Sequence, residues 1–114
     1  MATIYKICEQ AEWRAAEAAG QFRGSAVDLR DGFIHFSDAA QLAETAAKHF
    51  AGLTDLMLIA VDSAALGAAL KWERSRNDEL FPHLYGPLPL TAVRWARPVP
   101  EGFDREPSAA ELEP

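Results

Sequence analysis

The sequence predicts an α+β domain built on a curved or split, mainly antiparallel sheet flanked by two or three short helices. Three observations carry this expectation. Strand-like and helix-like stretches alternate early in the chain, the last third is rich in strand and turn signals, and no strand runs into a glycine-rich turn of the P-loop or Rossmann kind.

Taken in order, Thr3-Ile4-Tyr5-Lys6-Ile7-Cys8 alternates as an opening strand, with Ile4, Lys6 and Cys8 on one side and Tyr5 and Ile7 on the other. Lys6 is the odd member: it either snorkels to solvent from an edge, the default, or enters the cleft of His35. Residues 9–19 are rich in alanine and glutamate, with Trp13 and Ala16 at helical spacing, and Gly20 supplies the stop. Residues 21–30 mix Gly24, Ser25 and Asp28 with Phe22, Val27 and Leu29, a pattern read as strand and loop. Asp31-Gly32 then turns the chain into the short strand Phe33-Ile34-His35-Phe36-Ser37. With a period of two, Ile34 and Phe36 face the core while Phe33, His35 and Ser37 face the other way.

Asp38-Ala39-Ala40-Gln41 resembles a capping box, opening a helix to about residue 51 whose inward stripe is Ala39, Leu42, Ala46, Phe50 and Leu53. If Asp38 caps, the Ser37 hydroxyl is left for another partner. Residues 56–61, Leu-Met-Leu-Ile-Ala-Val, are apolar on both faces and mark the buried middle strand. A short helical turn follows through Leu66 and Leu70, then Lys71-Trp72-Glu73-Arg74-Ser75 alternates as a strand. Phe81-Pro82-His83-Leu84-Tyr85-Gly86-Pro87-Leu88-Pro89 reads as a rigid loop, its prolines fixing the path of a segment that carries His83 and Tyr85. Residues 90–99 close the fold as a strand, with Val93 and Trp95 inward and Arg94 outward.

At 114 residues, 49% hydrophobic and 25% charged, the chain suffices for one core, assigned to residues 1–100. Residues 101–114 hold five acids against Arg105 alone, with Pro107 and Pro114, so they are expected to form an acidic, flexible tail that takes most of the net charge of -6. The remainder is too balanced for an electrostatic footprint on duplex nucleic acid. No apolar run approaches the roughly 20 residues of a membrane span, and no secretory signal opens the chain, which points to the cytoplasm. The single cysteine, Cys8, forms no internal disulfide and is read as a small core residue. The oligomeric state is left open.

The chemistry-bearing residues lie in the two unusual stretches. His35, His49 and His83 lack the paired spacing of zinc sites, so no metal is assigned. Ser37 lies two residues from His35 without the strained turn of a serine nucleophile. More consistent is a cleft in which His35, Ser37 and Tyr85 grip a nucleotide-like ligand while Glu73 steadies positive charge developing at a sugar carbon. His35, Ser37 and Glu73 are the candidate catalytic residues; Lys6, Ser25, Asp31, Gln41, His83 and Tyr85 are the candidate ligand-binding residues.

The opening Ile4-Tyr5-Lys6-Ile7, the motif Asp31-Gly32-Phe33-Ile34-His35-Phe36-Ser37 followed by Gln41, then Glu73 and Phe81-Pro82-His83-Leu84-Tyr85-Gly86-Pro87-Leu88 together resemble a bacterial family catalogued as a domain of unknown function, number 952. That family is grouped with the ADP-ribosyltransferase superfamily, and the resemblance implies its split-sheet fold and a cleft for NAD. His35-Phe36-Ser37 is similar to the His-x-Ser element of the NAD-using RNA phosphotransferases in that superfamily, and Glu73 is placed as its late acidic residue. In the first strand Lys6-Ile7 stands where many members have His-Gly or Arg-Gly. The expected function is an NAD-dependent ADP-ribosyl or phosphoryl transferase-like enzyme. The alternative is a non-catalytic module that uses the same cleft for a metabolite or peptide.

Overall fold

In the computed structural model, which describes residues 3–50 and 53–99, the apolar run at residues 56–61 does become the middle strand of a sheet. The chain order is β1 (Thr3–Glu9), α1 (Gln10–Ala19), β2 (Gln21–Phe22), α2 (Ala26–Asp31), β3 (Ile34–His35), α3 (Leu42–His49), β4 (Leu56–Asp62), β5 (Leu70–Arg74), β6 (Leu80–Leu84), β7 (Leu88–Pro89) and β8 (Val93–Pro98). Turns of 3₁₀ helix occupy Ser63–Ala69, Arg76–Asp78 and Leu90–Ala92. The tail at residues 101–114 and the side chain of His49 lie outside the described residues.

All strand pairs are antiparallel. One sheet has the order β1-β4-β8, a second β3-β6-β5, and β2 pairs with β7. The two larger sheets meet where Tyr5 and Ser37 exchange backbone hydrogen bonds of 2.8 and 2.9 Å. The expected split antiparallel sheet is therefore present. A radius of gyration of 13.0 Å is that of about 100 residues packed as one domain.

Both faces of β4 are covered, which is why its sequence is apolar without alternation. Met57, Ile59 and Val61 pack with Ile4 and Cys8 of β1, Trp13 and Ala16 of α1, and Phe22, Ile34 and Phe36. Leu56, Leu58 and Ala60 pack on the opposite face with Tyr5, Ile7 and the α3 residues Leu42 and Ala46. Glu9 caps α1 through a box with Glu12, and Gly20 ends it at φ 85°, a left-handed conformation that costs glycine little.

Four sequence expectations are corrected. Residues 26–31 form a helix rather than loop, because Ser25 and Asp28 close a capping box at its start. Residues 81–84, the first part of the stretch expected as a rigid loop over 81–89, belong to β6 in the middle of the second sheet. Pro82 is accommodated because its carbonyl, and with it the side that lacks an N–H, faces Phe36 just beyond the end of β3. The Asp38–Gln41 box is present, but regular α3 starts at Leu42 and ends at His49, so Ala39 and Leu53 are exposed and only Leu42 and Ala46 are buried in the expected stripe. Val93 and Trp95 do not share a face. The register shifts between Ala60 and Val61, leaving Arg94 as an extra residue, so Val93 packs with one core cluster and Trp95 with the other.

Among the described residues no helix is long and apolar enough to cross a membrane.

Candidate active-site cleft

Helix α2 has its polarity reversed. Val27 and Leu29 are 42% and 67% exposed, while Asp28 between them is 2% exposed. Gly24 holds the chain at φ 118° ahead of the cap, and its bare Cα lies against Asp28, where a Cβ would come within 2.7 Å of the Asp28 Cβ. Ser25 then donates to Asp28 Oδ2 from its backbone N–H at 2.9 Å and from its hydroxyl at 3.1 Å. The carboxylate is thus turned inward, and its charge must be matched there.

Lys6 and His35 supply the match. Lys6 is buried, and its Nζ lies 2.9 Å from Asp28 Oδ1 and 2.7 Å from Oδ2. The default expectation that Lys6 reaches solvent is therefore wrong: its position on an inward face of β1 leaves the buried ion pair as the arrangement that satisfies it. The His35 backbone N–H donates to Asp28 Oδ1 at 3.1 Å, and the ring Nδ1 lies 2.6 Å from the same oxygen. Burial by itself raises the Asp28 pKa, but the His35 hydrogen bond, the charge and hydrogen bond of Lys6 and the Ser25 amide outweigh it and hold the group well below the usual carboxylate range.

The second ring nitrogen of His35, Nε2, lies 3.0 Å from Asp31 Oδ2. Both nitrogens of His35 therefore face carboxylate acceptors, and only a ring that carries both protons satisfies them. Asp31 is also gripped by Arg30, whose Nε is 2.9 Å from Oδ1, and that contact lowers its pKa.

His83, paired across the strands with His35, has a parallel support. Its Nδ1 lies 2.8 Å from Glu73 Oε1, and the Tyr85 hydroxyl donates to the same oxygen at 2.7 Å. The Tyr85 and His83 contacts lower the Glu73 pKa, and the carboxylate in turn raises that of Tyr85. Phe33 packs against all three rings, with centroids 4.5 Å from His35, 4.1 Å from His83 and 5.3 Å from Tyr85. The two imidazoles stand edge to face at 5.6 Å.

A cleft of about 460 Å³ opens beside them, within the usual range of small-ligand sites. Lys6, Ser25, Asp31, His35, Ser37 and His83 of the expected residues line it, with Arg30, Glu9 and Glu12, while Val27, Phe50 and Phe81 provide an apolar wall. Cys8 also reaches it, but burial, then the nearby Glu12 charge, pushes the thiol up to about 12, which suits a core residue and not a nucleophile.

The remaining expectations fare differently. Glu73 and Tyr85 do not line the cleft; they stand behind His83, bonded to each other. Gln41 is buried and spends its side chain on the Asp38 amide and the Leu80 carbonyl at 3.0 and 2.8 Å. The Ser37 hydroxyl is not free, since Thr45 Oγ1 lies 2.9 Å away. Asp28 was missed as a site residue. Its signal was the Ser25-x-x-Asp28 spacing, which closes a capping box and fixes where the carboxylate points.

Solved structures resemble the chain closely. The crystal structure of protein CC0527 from Caulobacter crescentus is 49% identical over 96% of each chain, with a TM-score of 0.88. A crystal structure of a double mutant of that protein is 47% identical over 96% of each chain, with a TM-score of 0.87. The solution structure of CC0527 is 49% identical over 99% of this chain and 97% of that one, with a TM-score of 0.82. Among curated proteins none matches. The family described as protein of unknown function (DUF952) matches residues 7–96, from within β1 into β8, and the chain belongs to that family.

Proposed function

We propose that the cleft binds a nucleotide-like ligand of the NAD or ADP-ribose class and that His35 is its acid–base group, in the manner of an ADP-ribosyltransferase-like enzyme. The observation that carries this reading is the 2.6 Å contact between buried Asp28 and His35 at the wall of a cleft of about 460 Å³. A buried carboxylate that fixes an imidazole's orientation is a common device for general acid–base work. The donor set suits one ribose-phosphate unit: Arg30 and His35 line the cleft, and Val27, Phe50 and Phe81 offer it apolar surface that suits a planar base. Lys6 is committed to Asp28, so Arg30 and His35 are the groups left to meet a phosphate.

Titration of ¹⁵N-labelled protein with NAD and with ADP-ribose tests the reading. The ring signals of His35 and His83 are expected to move at millimolar ligand or below, and the response is expected to vanish in His35→Ala. No movement with either ligand removes the proposal.

One observation favours a second reading, a binding module without catalysis. Glu73 Oε1 is held by both His83 and Tyr85, which leaves it ill placed to stabilise a cation at a sugar carbon. NAD turnover that disappears in His35→Ala would exclude the non-catalytic module.

A further inference from the structure

Resting on the ribose-phosphate reading of the cleft, we propose that His35 and His83 form an acid–base pair that hydrolyses a ribose 2′,3′-cyclic phosphate. Each ring is oriented at Nδ1 by a carboxylate on a neighbouring element, Asp28 at 2.6 Å and Glu73 at 2.8 Å, and each lines the same cleft. The rings meet edge to face with centroids 5.6 Å apart, so a phosphate does not fit between them, but one seated in the cleft that both line can present its entering oxygen to one ring and its leaving oxygen to the other.

The two rings are not equivalent. His35 stands between the carboxylates of Asp28 and Asp31, so both of its ring nitrogens are placed as donors, which assigns it the role of the acid. His83 is 4% exposed and donates from Nδ1 to Glu73, and among the described residues its Nε2 has no partner, so that lone pair is the base. Asp31 Oδ2, 3.0 Å from His35 Nε2, occupies the place of a ligand oxygen, and Arg30 retains Asp31 when a substrate displaces it.

The step balances with water as the only co-reactant. His83 Nε2 takes a proton from water as its oxygen bonds to phosphorus, the bond from phosphorus to O2′ breaks, and O2′ takes the proton from His35 Nε2. The product is the 3′-phosphomonoester, and the rings recover their protonation by exchange with solvent. Charge supports this substrate class. Lys6 is matched by buried Asp28, and Arg30 in the cleft faces Glu9, Glu12 and Asp31, a balance that disfavours a dianionic product more than a singly charged phosphodiester and so assists its release.

The experiment is incubation of the full chain with adenosine 2′,3′-cyclic phosphate, followed by ³¹P NMR, with ligand contact read separately from imidazole ¹⁵N shifts. Hydrolysis is expected, with losses of about 100-fold or more in His35→Asn and in His83→Asn. Glu73→Gln is expected to lose rate and to show mixed His83 tautomers in the imidazole spectrum. Should His83→Asn lose its dispersed amide spectrum, Glu73→Gln decides alone, and an unchanged rate there overturns the pair. Contact without hydrolysis overturns this inference and leaves the ligand reading of the cleft standing. Neither contact nor hydrolysis with this nucleotide, NAD or ADP-ribose overturns both.

Discussion

Asp28 accepts hydrogen bonds from Ser25, Lys6 and His35 through its two oxygens, so its removal leaves a buried ammonium without its counter-charge. Asp28→Asn is expected to lower the unfolding free energy by about 3 kcal/mol, as measured by urea titration with unchanged m-value. The pH dependence follows from the lowered Asp28 pKa. A carboxyl whose folded pKa is depressed contributes stability above its unfolded value of about 3.9, and that contribution fades as pH falls through the folded value. The stability gap between the wild type and Asp28→Asn is therefore expected to narrow as the pH falls below about pH 4. Residue types alone drew attention to His35 and His83. They did not reveal which carboxylates hold those rings, because Asp28 sits between two apolar residues in a stretch whose helix presents its charge inward.

The capping turn before α2 is the element on which the cleft wall depends. Gly24→Ala places a methyl against the Asp28 side chain and forces alanine to φ 118°. The variant is expected to lose about 1 to 3 kcal/mol and to shift the His35 ring signals, as read by thermal unfolding and NMR. Elements with a full period were legible in the sequence: β4 by its apolar run and α1 by Trp13, Ala16 and the Gly20 stop. Those that break a local rule were not. Helix α2 is six residues long and reverses its polarity, and β6 carries a proline whose missing N–H points past the end of its neighbour. The bulge at Arg94 has no local marker, since it is set by the register of β8 against β4.

Across the whole molecule, stability is concentrated in β4, which pairs on both sides and is packed on both faces. Ile59 is fully buried there, and Ile59→Ala is expected to cost about 2 to 5 kcal/mol in a single cooperative unfolding transition. The α+β class and the split sheet could be anticipated because alternating elements and turn-rich ends constrain the architecture strongly. The layout of the cleft could not, because it arises from contacts between β1, α2 and β6, which are far apart in sequence. Tyr5 and Ser37 have a double assignment: both border the cleft, and their amides exchange the bonds that stitch one sheet to the other. A small molecule lodged against that wall would slow deuterium uptake at both amides together, so the seam itself becomes a gauge of occupancy.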